Sequence, residues 1–269
     1  MVELTYGAAP LWVGLLSAVI LFQIVWVFAY LNKRNDYADV AWGPGFAVSA
    51  WASYIWACLI EGRPFLDLRT LLMCLLISAW GFRLFAYIGV RNLGKKNEDP
   101  RYLKWRQEWG TTWVWRSYLQ IFVLQGLILF IINLTVLWAI ARAPEPVDVF
   151  VFLGVLIWAI GFFFEVLGDK QLRVFTKNPQ NKGKLIKQGL WQYSRHPNYF
   201  GEVVQWWGLY LMVLPLHGGW VTIISPLAIT FLILKVSGVP LLEEQMKSRP
   251  GFAQYQRQVS KFFPWFPQK

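Results

Sequence analysis

The chain has 269 residues, of which 56% are apolar and 15% charged, with 17 tryptophans and 20 phenylalanines. That balance, with a mean hydropathy of +0.39, excludes an ordinary soluble domain and indicates a membrane protein rich in interfacial aromatics. The net charge of +11 leaves nucleic acid as a partner until the basic residues are placed along the chain.

Apolar runs occur near 10–31, 40–60, 70–90, 118–140, 148–168, 199–216 and 220–239, the last two interrupted by Pro215 and Pro226. Crossing a hydrocarbon layer of roughly 30 Å takes about 20 apolar residues. The runs are continuous rather than alternating, which favours helices over a membrane barrel. The expected fold is therefore an all-α integral membrane protein, a single domain over 1–269 with about seven transmembrane helices. The first run lacks a basic flank and is too long for a signal peptide.

Basic residues sort by loop: two between the first two runs, seven in 91–117, seven in 168–198 and five from 240 onward. The remaining loops hold only Arg63, Arg69 and Arg142. The positive-inside rule then places the N-terminus outside and the C-terminus in the cytoplasm. Topology accounts for most of the charge, and no nucleic-acid-binding module is visible. Cys58 and Cys74 lie inside apolar runs, and His196 and His217 are the only histidines. No zinc spacing results, so no metal is expected.

Polar groups inside or beside spans are costly and mark cavities or mutual pairs. In NDYADVAWG (35–43), Asp36 is placed to cap a helix, whereas Asp39 lies a turn deeper and reads either as an anchor or as a site residue. Trp80, Arg83 and Tyr87 share a helix face by their i, i+3, i+7 spacing. Arg83 reads either as snorkelling to the surface or as facing a cavity. Glu165, Asp169 and Arg173 follow at i, i+4, i+8, before a basic loop carrying Lys177, Lys182 and Lys184. Pro197 suits the first position of a helix, whose free N–H groups beside Arg195 and His196 would attract an anion. Asn198, Glu202 and Gln205 continue inward on one face. The closing segment carries Lys235, Glu243, Glu244, Tyr255 and Arg257 among many aromatics, which suggests that it folds back on the membrane domain.

The stretches NPQNKGKLIKQGLWQYSRHPNYFGEVVQWWG and GVPLLEEQMKSRPGFAQYQRQVSKFFPWFP, with DVAWG and RNLGKKNEDPRY upstream, resemble the steroid 5-alpha-reductase-like membrane proteins. Within that family they are most similar to the branch known only as a domain of unknown function. The resemblance covers nearly the whole chain. It implies seven helices enclosing an intramembrane cavity, NADPH bound from the cytoplasmic side, and reduction of a carbon–carbon double bond conjugated to a ketone. It also implies a substrate side over 1–140 and a cofactor side over 141–269. By position, Asp169 and Arg173 match cofactor contacts, Asn198 and Glu202 match the Asn and Glu of the family's helix 6 motif, with Glu202 in the expected catalytic set and Asn198 in the cofactor set, and Lys235 stands where steroid reductases carry Arg. The rest of the expected cofactor set is Lys182, Lys184, Arg195, His196, Tyr199, Glu243, Glu244 and Arg257.

The substrate side departs from the family pattern. Trp80 stands where steroid reductases place a Tyr, and the Gln-Glu pair is missing, with Asp39 the nearest acidic substitute. Tyr87, supported by Asp39 or Arg83, is the candidate to polarise a substrate carbonyl, and Asn198 and Glu202 would organise the nicotinamide end. No G-x-G-x-x-G occurs, so a Rossmann carrier is not expected. Partners are then a lipophilic small molecule and membrane lipid, in a bacterial inner membrane or the endoplasmic reticulum. Two other readings stay open. RHPNY with Glu243–Glu244 also resembles membrane methyltransferases of the isoprenylcysteine carboxyl type, which use S-adenosylmethionine. A lipid- or sterol-binding protein without catalysis would keep the same cavity.

Overall fold

The computed structural model describes residues 7–65, 67–93, 97–142 and 144–268. Gly94, Lys95 and Lys96 of RNLGKKNEDPRY lie outside the described residues. Every regular element among the described residues is helical. The chain forms two compact units: residues up to Asp148 together with Val213–Thr222, and Val149–Met212 together with the chain from Ile223 onward.

The first unit contains α1 (Ala9–Asn32), α2 (Tyr37–Leu59), α3 (Leu68–Leu93), α4 (Pro100–Trp109), α5 (Trp113–Ser117) and α6 (Leu124–Ala141), with a π-helical turn at Tyr118–Val123. Lys33 closes α1 in the left-handed conformation (φ 54°), its N–H reaching the carbonyls of Ala29 and Tyr30, as helix C-termini commonly do. α4 starts at Pro100 behind Asp99, whose carboxylate accepts from the Arg101 N–H at 3.0 Å. This start carries one helical run from Pro100 to Ala141, well upstream of the span expected from 118. Asp36 does precede α2, but its side chain makes no cap bond, because Arg34 holds it at 2.7 Å.

Small residues bring these helices together. A Cβ on Gly81 would stand 2.5 Å from the Gly43 carbonyl oxygen, so α2 and α3 meet backbone to backbone. Ser49 and Ser53 of α2 donate to the carbonyls of Gly14 (2.9 Å) and Pro10 (2.8 Å). Asn133 of α6 donates to the Phe46 carbonyl at 3.2 Å. Such contacts hold helices together in lipid, where apolar surface gives no net drive to associate.

The second unit contains α7 (Val149–Lys177), α8 (Pro197–Val213), α9 (Ile224–Phe231), α10 (Val239–Met246) and α11 (Phe252–Gln258). Short 3₁₀ turns at Pro179–Asn181 and Gly189–Gln192 join α7 to α8, and a π-helical turn at Leu232–Val236 follows α9. α7 and α8 run in backbone contact. A Cβ on Gly161 would lie 2.6 Å from the Gly201 oxygen, and one on Gly154 would lie 2.6 Å from the Gly208 oxygen.

Among the described residues, five helical segments are long and apolar enough to cross a membrane: Ala9–Asn32, Leu68–Asn92, Pro100–Ala141, Val149–Lys177 and Gly219–Met246. The protein is an all-α integral membrane protein. Two of the seven expected spans fall short of that measure for physical reasons. α2 spends much of its length on Gly, Ala, Ser and aromatic residues that pack against neighbours. α8 is only 17 residues long and includes Glu202 and Gln205.

Gly201→Ala is expected to lower unfolding stability in detergent by about 1–3 kcal/mol, the usual cost of overpacking, because its Cβ would meet the Glu165 nitrogen at 2.5 Å. An unchanged unfolding midpoint would show that α7 and α8 do not touch there.

Candidate functional site

Each unit carries buried polar groups. In the first, NDYADVAWG meets the segment that leads into α4. Asp39 accepts from the Tyr102 hydroxyl at 2.5 Å and pairs with Arg101 at 3.0 Å. The Asn35 N–H donates to Glu98 at 2.5 Å, and Glu98 also pairs with Arg106 at 2.8 Å. Arg34 holds Asp36 and donates to the Asn92 carbonyl at 2.8 Å. The Arg106 guanidinium lies 4.3 Å from the Trp113 ring centre, close enough for a cation–π contact. The short Tyr–Asp bond belongs to the stronger, charge-assisted class.

The Asp39 carboxylate thus has the geometry of an anchor for the start of α4. Tyr87 is instead accompanied by Arg83, whose guanidinium carbon is 6.0 Å from the Tyr87 ring centre. Trp80, one turn before Arg83, is buried with its ring against Phe46 at 5.3 Å, so it serves the core. Tyr102, Glu98, Arg101 and Arg106 are the polar residues that the sequence reading passed over. Their signal was present in NEDPRY, an acidic pair and a helix-starting Asp-Pro inside an otherwise basic loop.

In the second unit, the ladder expected on α7 divides. Glu165 and Asp169 are buried and face α8. Gln205 donates to Glu165 at 2.6 Å and Asn198 donates to Asp169 at 3.0 Å. Arg173, one turn further along, is exposed. The division follows from where α8 begins. Asn198 packs on Gly168, and no turn of α8 extends past it to cover Arg173. The Asn198 Oδ1 and the Gln205 Oε1 are both buried without a hydrogen-bond partner among the described residues. Glu202 and Tyr199 are half-buried on the same helix.

Arg195 is buried and fully occupied. It pairs with Glu243 at 2.7 Å and donates to the carbonyls of Gln256 (3.0 Å) and Val259 (2.7 Å). Its backbone N–H donates to the Ser260 carbonyl at 2.9 Å. These bonds commit Arg195 to the fold, since each guanidinium nitrogen already has a protein acceptor. Glu243, expected at the cofactor, is the other half of that clamp, and Glu244 pairs with Lys247 at the surface. His196 is completely buried, 3.3 Å from Glu243, with its ring stacked on Tyr199. Burial lowers its pKa from the ordinary histidine value, against the opposing pull of Glu243. Burial raises that of the Tyr255 phenol, which donates to the Trp191 carbonyl at 2.5 Å.

Of the expected cofactor set, Arg173, Lys182, Lys184, Lys235 and Arg257 are exposed. Lys182 and Lys184 flank Gly183, whose φ of 79° suits glycine. Lys235 lies on the π-helical turn, a distortion often found at functional sites. No group of three or more potential metal ligands occurs among the described residues.

Residues 25–259 match a family model described as "Protein of unknown function (DUF1295)". The chain belongs to the DUF1295 family. An uncharacterized protein of Schizosaccharomyces pombe is 24% identical over 96% of this chain and 81% of its own length. The bovine 3-oxo-5-alpha-steroid 4-dehydrogenase 1 is 35% identical over 65 residues, which is 24% of this DUF1295 chain and 25% of the bovine protein. The steroid 5-alpha-reductase DET2 of Gossypium hirsutum is 36% identical over 59 residues, 22% of this chain and 23% of its own. A probable O-methyltransferase, ustE, of Ustilaginoidea virens is 46% identical over 46 residues, 17% of this chain and 16% of its own. The likeness to named enzymes therefore spans about a quarter of their length or less. No solved structure matches.

Arg195→Gln is expected to destabilise the protein by about 3–5 kcal/mol, because it strands Glu243 without its buried partner. Hydrogen exchange should show residues 259–268 losing protection. Arg195→Met with Glu243→Leu should recover part of the loss. An unprotected tail in the parent protein would contradict the clamp.

Proposed function

We propose that this protein is a membrane-embedded, NADPH-dependent reductase of a carbon–carbon double bond conjugated to a carbonyl, acting on a lipophilic substrate. The observation that carries this reading is the 34–36% identity, over about a quarter of the chain, to steroid 5-alpha-reductases from cattle, mouse, rat and cotton. In this reading α2 and α8 also cross the bilayer, making seven spans, with the N-terminus outside and the C-terminus in the cytoplasm.

The residues of the second unit suit such a cofactor. The unpartnered, buried Asn198 Oδ1 is an acceptor that a carboxamide N–H would satisfy, and Asp169 fixes the orientation of that amide through its other end. Arg173, Lys182, Lys184 and Lys235 are exposed and make no ion pair among the described residues, so they are free to neutralise phosphates. Lys235 supplies charge without the two-pronged geometry of an Arg. When bound, the cofactor supplies the hydride. The chain supplies the rest. Tyr87 donates a hydrogen bond to the substrate carbonyl as negative charge builds on that oxygen, and Arg83 beside its ring favours that charge. The proton that completes the reduction comes from solvent water and goes to the carbon next to the carbonyl.

The match to an O-methyltransferase supports one competing reading, in which the polar start of α8 serves S-adenosylmethionine. Titrating the purified protein with each cofactor while following thermal stability separates the two. At a hundred times its Kd, NADPH should stabilise the fold by about 2.7 kcal/mol, and S-adenosylmethionine should not. Stabilisation by the methyl donor alone would overturn the reductase reading.

Two substitutions then test the assignments. Tyr87→Phe should lower turnover of an enone substrate by roughly 100-fold or more while leaving NADPH affinity intact. Arg173→Ala should weaken NADPH binding, and an unchanged affinity would remove Arg173 from the phosphate set.

A further inference from the structure

The last ten described residues form no helix. Val259 packs with Phe252 and Tyr255, and the segment after it is strapped to the residues that precede α8. Ser194 Oγ donates to the Phe262 carbonyl at 2.7 Å, the Arg195 N–H donates to the Ser260 carbonyl at 2.9 Å, and the Trp265 N–H donates to the Tyr193 carbonyl at 2.9 Å. The same segment is tied to α7. The Trp191 indole donates to the Gly168 carbonyl at 3.2 Å, and the Leu190 N–H donates to Gln171 at 2.9 Å.

These ties fix the height of the tail. α7 is apolar as far as Leu167 except for Glu165, and then carries Asp169, Lys170, Arg173 and Lys177. That change of character marks the border between hydrocarbon and headgroups. The tail is therefore held at the level of the border, beside residues 168–171.

At that level the tail displays two kinds of side chain. Phe263, Trp265 and Phe266 are 70%, 70% and 76% exposed. Beside them a groove of about 510 Å³ is lined by Arg195, Arg257, Ser260, Lys261, Trp265 and Phe266, among others, with no carboxylate side chain among the described residues that line it. Arg195 is spent on Glu243, but Arg257 and Lys261 are exposed and make no ion pair among the described residues. Aromatic rings beside uncompensated cations at a membrane border are what an anionic lipid would meet.

We propose that this tail is an interfacial lipid clamp. The three rings enter the boundary between acyl chains and headgroups, and the groove beside Arg257 and Lys261 takes the phosphate of an anionic phospholipid. The clamp is independent of which cofactor the protein uses.

The test uses the full-length protein in nanodiscs containing phosphatidylcholine with or without phosphatidylglycerol. Acyl-brominated lipids quench nearby indoles, and subtracting the signal of Trp265→Phe isolates Trp265 from the other tryptophans. Brominated phosphatidylglycerol should quench the Trp265 component more strongly than brominated phosphatidylcholine. Arg257→Gln and Lys261→Gln should each weaken that preference about fivefold. No quenching by either lipid would overturn the interfacial placement. Quenching indifferent to both substitutions would overturn the headgroup site. If millimolar inorganic phosphate abolished the preference, the groove would be a site for a soluble phosphate and the lipid assignment would fall.

Discussion

The contact between α7 and α8 is the constraint on which the second unit depends. Two glycines on each helix, Gly154 and Gly161 against Gly208 and Gly201, bring backbone within reach of backbone. That approach leaves no room for water, so any ionisable group on the shared face has to find its partner on the opposite helix. Glu165 finds Gln205 and Asp169 finds Asn198. Hydrogen bonds of this kind in a membrane protein contribute only about 0.6 kcal/mol on average, so they fix register more than they add stability. The position of Asn198 against Gly168 follows from glycines about one and three turns further along α8.

Arg195 extends that register to the rest of the unit. It stands two residues before α8, pairs with a carboxylate on α10 and accepts no freedom at the end of α11, where two carbonyls hold it. Burying such a pair is costly in itself, and its value lies in joining three segments distant in sequence at one point. A cation committed in this way does not serve an incoming phosphate. Phosphate recognition in the proposed function falls instead to side chains with no internal partner, on the loop after α7 and on the π-helical turn.

Much of the architecture was legible in apolar runs, because lipid forces every backbone group into a helix. The ends of α1, expected at 10–31 and found at Ala9–Asn32, show how closely hydropathy tracks a span that faces lipid. It failed for the start of the run into α6, since the amphipathic α4 carries charge on its surface and gives no hydropathy signal. The partners of polar residues were the least legible. Asp39 was noticed as an anomaly, but Arg101 and Tyr102 lie more than 60 residues away, and nothing local announces such a pairing. The same holds for Arg195, whose neighbours in sequence suggested an anion site and whose neighbours in space supply the anion from the chain itself.

The positive charge counted in the basic loops thus divides into two populations. In 91–117 the basic residues are accompanied by Glu98, Asp99 and Glu108, and Arg101, Lys104 and Arg106 are each paired with an acid. In 168–198 seven basic residues accompany a single acid, Asp169, which is itself turned inward to Asn198, and only Arg195 of the seven is paired with an acid from elsewhere, Glu243, among the described residues. Topology requires both loops to be basic but says nothing about whether their charge is compensated. The uncompensated loop adjoins the polar start of α8, and the compensated one braces the first unit. A surplus of cations kept at one place has an electrostatic cost that a topological signal alone would not select. That surplus is the physical reason to look for an anionic ligand beside α8 rather than beside α4.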